Sequence, residues 1–457
     1  MNPLPGRQGL SRIATLSPLS MGLGIFLLAL AVRVTVAVLV GLPWQPISSG
    51  EPDLIARSIA ETGVFGNPYR SFPTGPTSHA APFYPYFLSL IFRTFGYGFE
   101  ARCATLAASA LMASAQYGLL PLLAARVGLP AWIGGLAGLL GAMIPFRVVT
   151  ELTSLEAPYG VAGWILVLIF TLTWMRDPTA LRSLSCGAAW GCLLLIIPQV
   201  TISFAALAAG VLWKRGRQAV LPLFMLFGMV ALALLPWTWR NYATFGELFF
   251  IRSNLGLELA VSNYPGAKPE FADNCPGLWQ NGPEGATCMD RHPFLDANEA
   301  RRLVEMGEPA YHRSRMREFK EYVAADPAAF IKRSAQRVVL FWFMPSRNQR
   351  FKDLFLFPLT ALAMFGAWRI ARRLPDYGWV LSACLIFYPS AYYFLSLITR
   401  YRFPIEWLIW LLGTYGLTTL LPRRWWEFLQ IPYPASMGGS WPRMAPLSSP
   451  EPPAQAA

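Results

Sequence analysis

Apolar residues in this chain fall into long unbroken runs separated by short basic loops, a pattern that predicts an all-α protein of membrane-spanning helices. Runs close to the roughly 20 residues a bilayer requires occur at 21–42, 103–124, 131–148, 159–175, 184–198, 200–213, 219–237, 354–368, 379–397 and 403–421. About ten transmembrane helices follow, the sixth and eighth short. Another apolar stretch, 86–95, sits behind the prolines of GPTSHAAPFYP and is rich in Tyr and Phe, which suits a helix lying along the membrane interface. Between 240 and 346 the hydropathy collapses into polar, Gly- and Pro-rich text, with a helical pattern over 297–322 and an amphipathic one over 328–343. That segment is long enough for a small domain between spans seven and eight.

Arginine and lysine set the orientation. Arg7 and Arg12, Arg126, Arg176 and Arg182, Lys214 with Arg215 and Arg217, Arg369 with Arg372 and Arg373, and Arg423 with Arg424 fall on one side if there are ten spans. The positive-inside rule makes that side cytoplasmic, with both termini inside. A crossing at 86–95 would turn Arg126 and the 176–182 and 214–217 groups outward, so the first outer loop is expected to run over 43–102. The expected organisation is an N-terminal transmembrane catalytic module, 1–239, an extracytoplasmic domain, 240–346, C-terminal transmembrane helices, 347–424, and a Pro- and Ser-rich disordered tail, 425–457. Residues 1–20 show no small-residue cleavage site, and the run that follows is long enough to span, so the first helix is expected to be uncleaved.

Composition agrees: 54% of residues are hydrophobic and 14% charged, so the lipid bilayer is the main partner and the cytoplasmic (inner) membrane the expected location. The net charge of +13 sits in short loops beside spans, so it is a topology signal and does not point to nucleic acid. Four of the six cysteines, Cys103, Cys186, Cys192 and Cys384, lie in apolar spans as packing residues. Cys275 and Cys288, in the polar segment, are a candidate disulfide if that segment is outside the cytoplasm; the sequence leaves the pairing open.

Charges within the spans are few, Arg33 being the clearest, and this disfavours a transporter. Acids and bases gather instead at the expected outer ends of spans: Glu51 and Asp53, Glu151 and Glu156, Arg240, Arg347 and Arg350, Arg400 and Arg402. Such a ring fits an enzyme whose active site opens at the outer face. Glu51 is placed to accept a proton from an acceptor hydroxyl or amine, or else to cap the helix beginning at Pro52. Arg240, Arg400 and Arg402 are guanidinium groups at headgroup depth, suited to a lipid phosphate or to ordinary headgroups. His79, His292 and His312 are scattered without metal-ligand spacing, so no metal site is expected of them. No Walker A sequence, dinucleotide-binding glycine pattern or Gly-x-Ser-x-Gly elbow is present, which disfavours soluble nucleotide chemistry.

Four stretches carry a resemblance: EPDLIARSIAETGVFGNPY with GPTSHAAPFYP, PWTWRNYATFGELFFIRSNLGLELAVSN, HPF with GEPAYHRSRMREFKEYVAADPAAF, and RYRFPIEW. In these the chain resembles the multi-pass GT-C glycosyltransferases, family 39, which includes protein O-mannosyltransferases and the aminoarabinose transferase. The resemblance implies transfer of a sugar from a polyprenyl-phosphate donor to an extracytoplasmic lipid, glycan or protein acceptor, by inverting displacement and without cofactor or divalent metal. It also implies a first-loop carboxylate base in the motif Asp-Glu-x-x-Tyr. Ile55 stands in the Tyr position, so the match falls on Glu51, with Asp53 as rival. A second family carboxylate before a Pro matches Glu156, with Glu151 as fallback; Arg240, Arg400 and Arg402 are the carry-over candidates for the donor phosphate, and His79 is a further substrate-binding candidate. A flippase of lipid-linked sugars and an inactive envelope-assembly scaffold are the competing readings.

Overall fold

The computed structural model describes residues 16–47, 50–274, 291–294, 296–343 and 350–422, and among these the chain is helical, with isolated bridges but no strand. Pro18–Leu39 (α1) leads into a loop that carries Glu51–Thr62 (α2) and Phe83–Phe95 (α3). Next come Phe99–Gly118 (α4), Leu120–Val127 (α5), Ala131–Ala142 (α6), Pro145–Thr153 (α7), Ala157–Arg176 (α8), Ala180–Leu194 (α9), Thr201–Arg215 (α10) and Val220–Phe245 (α11). Leu255–Ser262 (α12), Ala297–Met306 (α13), Glu308–Ala325 (α14) and Pro327–Phe343 (α15) lie in the polar segment. Arg350–Arg373 (α16), Gly378–Phe387 (α17) and Phe403–Leu420 (α18) follow.

Among the described residues four helical runs are long and apolar enough to cross a membrane: Pro18–Leu39, Phe99–Val127, Ala157–Arg176 and Pro198–Phe245. The last has 48 residues and is interrupted at Gly216, whose φ of 55° suits a residue without a Cβ. At 1.5 Å per residue it is about 70 Å long, twice a bilayer core, and so corresponds to the sixth and seventh expected spans. Exposed apolar side chains such as Leu39 and Phe224, 79% and 74% exposed, are the face such helices turn to lipid.

By these criteria the expected ten spans are not reached, and two of them are recast. The span at 131–148 is broken: α6 ends at Ala142, Pro145 opens α7, and the pair is bent by 90°. The span at 379–397 is helical only to Phe387. Pro389 lacks the amide that would continue it, and Tyr388–Phe394 becomes a 3-10 turn.

The basic loops do share one end. There Arg176 donates to Arg126 O, Arg215 to Met175 O, and Lys214 Nζ to Pro375 O at 2.7 Å. Loop 43–98 and the described part of the polar segment pack together, as the site below shows.

Helices α16 and α18 touch through backbone. A Cβ on Gly366 would lie 2.0 Å from Leu412 O, and one on Gly416 2.4 Å from Leu362 O. Small residues allow this approach where lipid supplies no hydrophobic drive. Gly366→Ala is expected to lower the unfolding midpoint in detergent, at a cost of about 1–3 kcal/mol for overpacking; an unchanged midpoint would mean that the helices separate freely.

Candidate active site

The first turn of α2 distributes two acids between two tasks. Gly50 precedes the helix, and the Asp53 carboxylate accepts its amide at 3.2 Å, closing the helix start. Asp53 is 3% exposed and within 3.5 Å of the Tyr84 hydroxyl, so the expected rival base is the cap. Glu51, expected either as cap or as base, is therefore free of the helix end. Its Oε1 lies 3.2 Å from His79 Nε2 and 3.7 Å from His292 Nε2, and its side chain is 26% exposed.

His79 is held by the loop that GPTSH forms. Gly75, at φ 74°, lets the chain turn back, its amide donating to Asn67 Oδ1 at 2.8 Å and its carbonyl accepting from Asn67 N at 2.9 Å. The His79 amide donates to Thr77 Oγ1 at 3.0 Å, its carbonyl accepts from Arg252 Nε at 2.7 Å, and its Nδ1 meets the Tyr69 hydroxyl at 3.2 Å. The ring is 1% exposed, so His79 orients Glu51 and does not itself line an open surface. His292 comes from the far polar segment. Its Nδ1 accepts the Phe294 amide at 3.1 Å, which leaves Nε2 to carry the proton that faces Glu51.

Burial by itself disfavours the Glu51 anion, but the adjoining His79, its hydrogen bond, His292 and Arg400 outweigh it and bring the carboxyl down to about 2. Burial likewise opposes the His79 cation, and the Glu51 charge overcomes it, raising the imidazole. His292 and His312 are pushed down by burial, His312 to about 3, with the charge of neighbouring His79 adding to the effect. The histidines expected to be scattered thus converge: His79 and His292 have ring centroids 6.2 Å apart, and His312 lies within reach of both. Nothing local in the sequence announces this, because the partners come from distant segments. Among the described residues no group of three His, Cys, Asp or Glu is arranged to hold a metal ion.

Glu156 lies on the turn between α7 and α8, near enough to Arg400 for the two charges to interact. Leu155 sits at φ 51°, a strained value for a branched side chain, and this turn projects Glu156, whose carboxylate makes no hydrogen bond or ion pair among the described residues. Arg400 is exposed and equally unpaired there, and its charge interacts with Tyr401, Glu156, Glu51 and Glu258. Arg252 and Glu258, neither singled out from sequence, belong to the same cluster of charges. Glu258 accepts from Asn254 Nδ2 at 3.0 Å and also acts on His79 and His292.

The other expected substrate residues lie elsewhere. Glu151 is 1% exposed and closed by Arg33 Nη2 at 2.6 Å and the Tyr117 hydroxyl at 2.6 Å, so no substrate meets it. Arg240 donates to Thr77 O at 2.7 Å and Phe65 O at 2.9 Å and stacks on Trp237, 4.9 Å from the ring centre. It clamps the first loop to α11 and has no free edge for a phosphate. Arg402 is 5% exposed, donating to Trp342 O and Thr360 Oγ1 at 2.6 and 2.7 Å. With Glu406 and Arg147, 2.5 Å apart, it borders a small cavity that shares no residue with the Glu51 cluster. Arg347, the Arg350 side chain, Cys275, Cys288 and the 425–457 tail lie outside the described residues.

No family model and no curated protein matches the sequence. Solved structures do. The oligosaccharyltransferase of Archaeoglobus fulgidus in complex with Zn and sulfate is 16% identical, with a TM-score of 0.51, over 91% of this chain and 50% of that one. The same enzyme tethered with an acceptor peptide containing the NVT sequon gives 13%, 0.52, 91% and 53%. The chain shares the fold of this oligosaccharyltransferase. ArnT of Cupriavidus metallidurans bound to undecaprenyl phosphate is 16% identical over 86% of this chain and 78% of that one, with a TM-score of 0.37. This chain spans about half the length of the oligosaccharyltransferase, and the likeness is one of fold.

Proposed function

We propose that this protein is a glycosyltransferase that moves a sugar from a polyprenyl-phosphate donor to an extracytoplasmic acceptor, lipid, glycan or protein, by inverting displacement. The observation that supports the reading is the Glu51 carboxylate, 26% exposed and held 3.2 Å from His79 Nε2 and 3.7 Å from His292 Nε2, with the exposed Arg400 guanidinium close enough for its charge to act on it. The acceptor oxygen bonds to the anomeric carbon as the bond from that carbon to the phosphate oxygen breaks. Arg400 holds the departing polyprenyl phosphate. Glu51 takes the acceptor proton. A carboxylate with so low a pKa is a weak base, yet the hydroxyl becomes strongly acidic as its oxygen bonds to carbon, and a weak base suffices late in that step. Glu156 orients the acceptor. No cofactor or metal enters this reading.

The flippase alternative gains one observation, since the charges inside the bundle are paired and more numerous than the single Arg33 read within the spans: Arg33–Glu151 and Arg147–Glu406 with Arg402. Both carboxylates are closed by guanidinium groups, however, which suits struts better than an ion path. Mass spectrometry of envelope glycolipids and glycoproteins, with and without this protein, is expected to show one sugar missing from one acceptor. An unchanged sugar inventory, with altered leaflet distribution of a lipid-linked sugar, would favour the flippase.

A further inference from the structure

Glu308 is a buried carboxylate that the reaction scheme above does not use. It opens α14, is 4% exposed, and points across to the first loop and to the segment after α11. Its Oε2 accepts from Thr77 Oγ1 at 2.6 Å. Its Oε1 accepts from Ser78 N at 2.7 Å, Ser78 Oγ at 2.6 Å and Ser253 Oγ at 3.1 Å. Four donors for one carboxylate is more than a helix start requires, and it offsets the desolvation that an ionised buried acid incurs. His312, one turn on, has Nε2 3.9 Å from Oε1, but burial pushes that ring down, so the hydrogen bonds and not an ion pair are what hold the carboxyl group.

The three groups gathered by Glu308 surround His79. Thr77 also accepts the His79 amide, Ser78 is its chain neighbour, and Ser253 follows Arg252, which holds the His79 carbonyl. We propose that Glu308 is a positioning residue for Glu51: by tying Thr77, Ser78 and Ser253 together it sets the His79 imidazole against the Glu51 carboxylate. The polar segment is then part of the active site and not a separate domain beside it. This rests on the reading of Glu51 as a functional carboxylate. A plain strut would hold the loop equally well as an apolar contact, without fixing the direction of one imidazole.

The chain has three histidines, so protein labelled with ¹⁵N-histidine in detergent gives three imidazole signals whose titration reads the pairing directly. The groups facing the pair are His292, Arg400, Tyr69, Tyr401, Arg252 and Glu258. In the native protein one ring is expected to titrate above 6.5, and Glu51→Gln, which removes the charge, identifies it as His79 by lowering it. Glu308→Ala is expected to lower the same ring by about 1–3 units, the effect of losing a close opposite charge, and adding Glu308→Ala to Glu51→Gln should lower it no further. Thr77→Val, which removes the hydroxyl shared by Glu308 and the His79 amide, is expected to give the same direction and carries the test if Glu308→Ala does not fold. An unmoved His79 titration in either folded variant overturns the proposal. A shifted titration beside full transfer activity of Glu51→Gln upholds the positioning and sinks the functional reading on which it rests.

Discussion

Glu51→Gln is expected to reach the membrane folded and to lose transfer by about 10²–10⁴-fold, the range for removing a positioned proton acceptor. The substitution keeps the size of the side chain and an oxygen for the imidazole Nε2 protons of His79 and His292, so packing around α2 has little reason to change. What it removes is the charge that those imidazoles and Arg400 stabilise. The pH dependence follows in sign. Because the Glu51 carboxyl is drawn below its ordinary 4.5 to about 2, the anion persists as pH falls, and the rate limb it controls stays flat where an ordinary carboxylate would already be half protonated. Initial rates of native and variant protein between pH 4 and 7, at equal amounts of folded enzyme, test both points. The assignment fails if Glu51→Gln turns over normally while Asp53→Asn is inactive. As a cap, Asp53→Asn should cost little, since Asn also serves at helix starts.

Much of this architecture was legible because hydropathy and charge act over short distances in the chain. A run of apolar residues must find lipid or core wherever it sits, and basic loops declare their side one by one. The helix expected over 86–95 was readable from its prolines and Tyr–Phe content, although it starts three residues earlier, at Phe83, and the broken helix at 131–153 was in principle readable from Pro145. Assigning roles to the charges was not. Glu151 and Glu156 lie five residues apart in the same short stretch, yet one is sealed by Arg33 and Tyr117 while the other stands half-buried without an ion pair among the described residues. Arg400 and Arg402 divide in the same way, one exposed and one bound to backbone carbonyls. In each case the deciding partner comes from another helix. The meeting of His79 with His292 and the reach of Glu308 to Thr77 depend on how the polar segment folds back, which no local spacing encodes.

The largest stability effect is expected at Arg33 and Glu151. Arg33 is fully buried on α1, donates to Ala29 O at 3.1 Å and Ala142 O at 3.3 Å, and lies 4.7 Å from the centre of the Tyr117 ring. Ala142 ends α6 at the 90° bend, and Glu151 lies on α7 beyond it, so one guanidinium holds both arms of the break. Glu151→Ala leaves that guanidinium buried without its counter-charge and is expected to cost about 3–5 kcal/mol, whereas Arg33→Met with Glu151→Leu removes both charges and should recover most of the loss. Denaturation in detergent micelles measures the three proteins. If the pair were only a strut, restored stability would restore transfer as well. The bend, however, leads directly through Ser154 and the strained Leu155 to Glu156, and without Arg33 the carbonyl of Ala142 loses its donor. The double variant is therefore expected to be stable and still impaired in transfer, because the angle at which α7 delivers Glu156 is set by the ion pair and not by the fold energy alone.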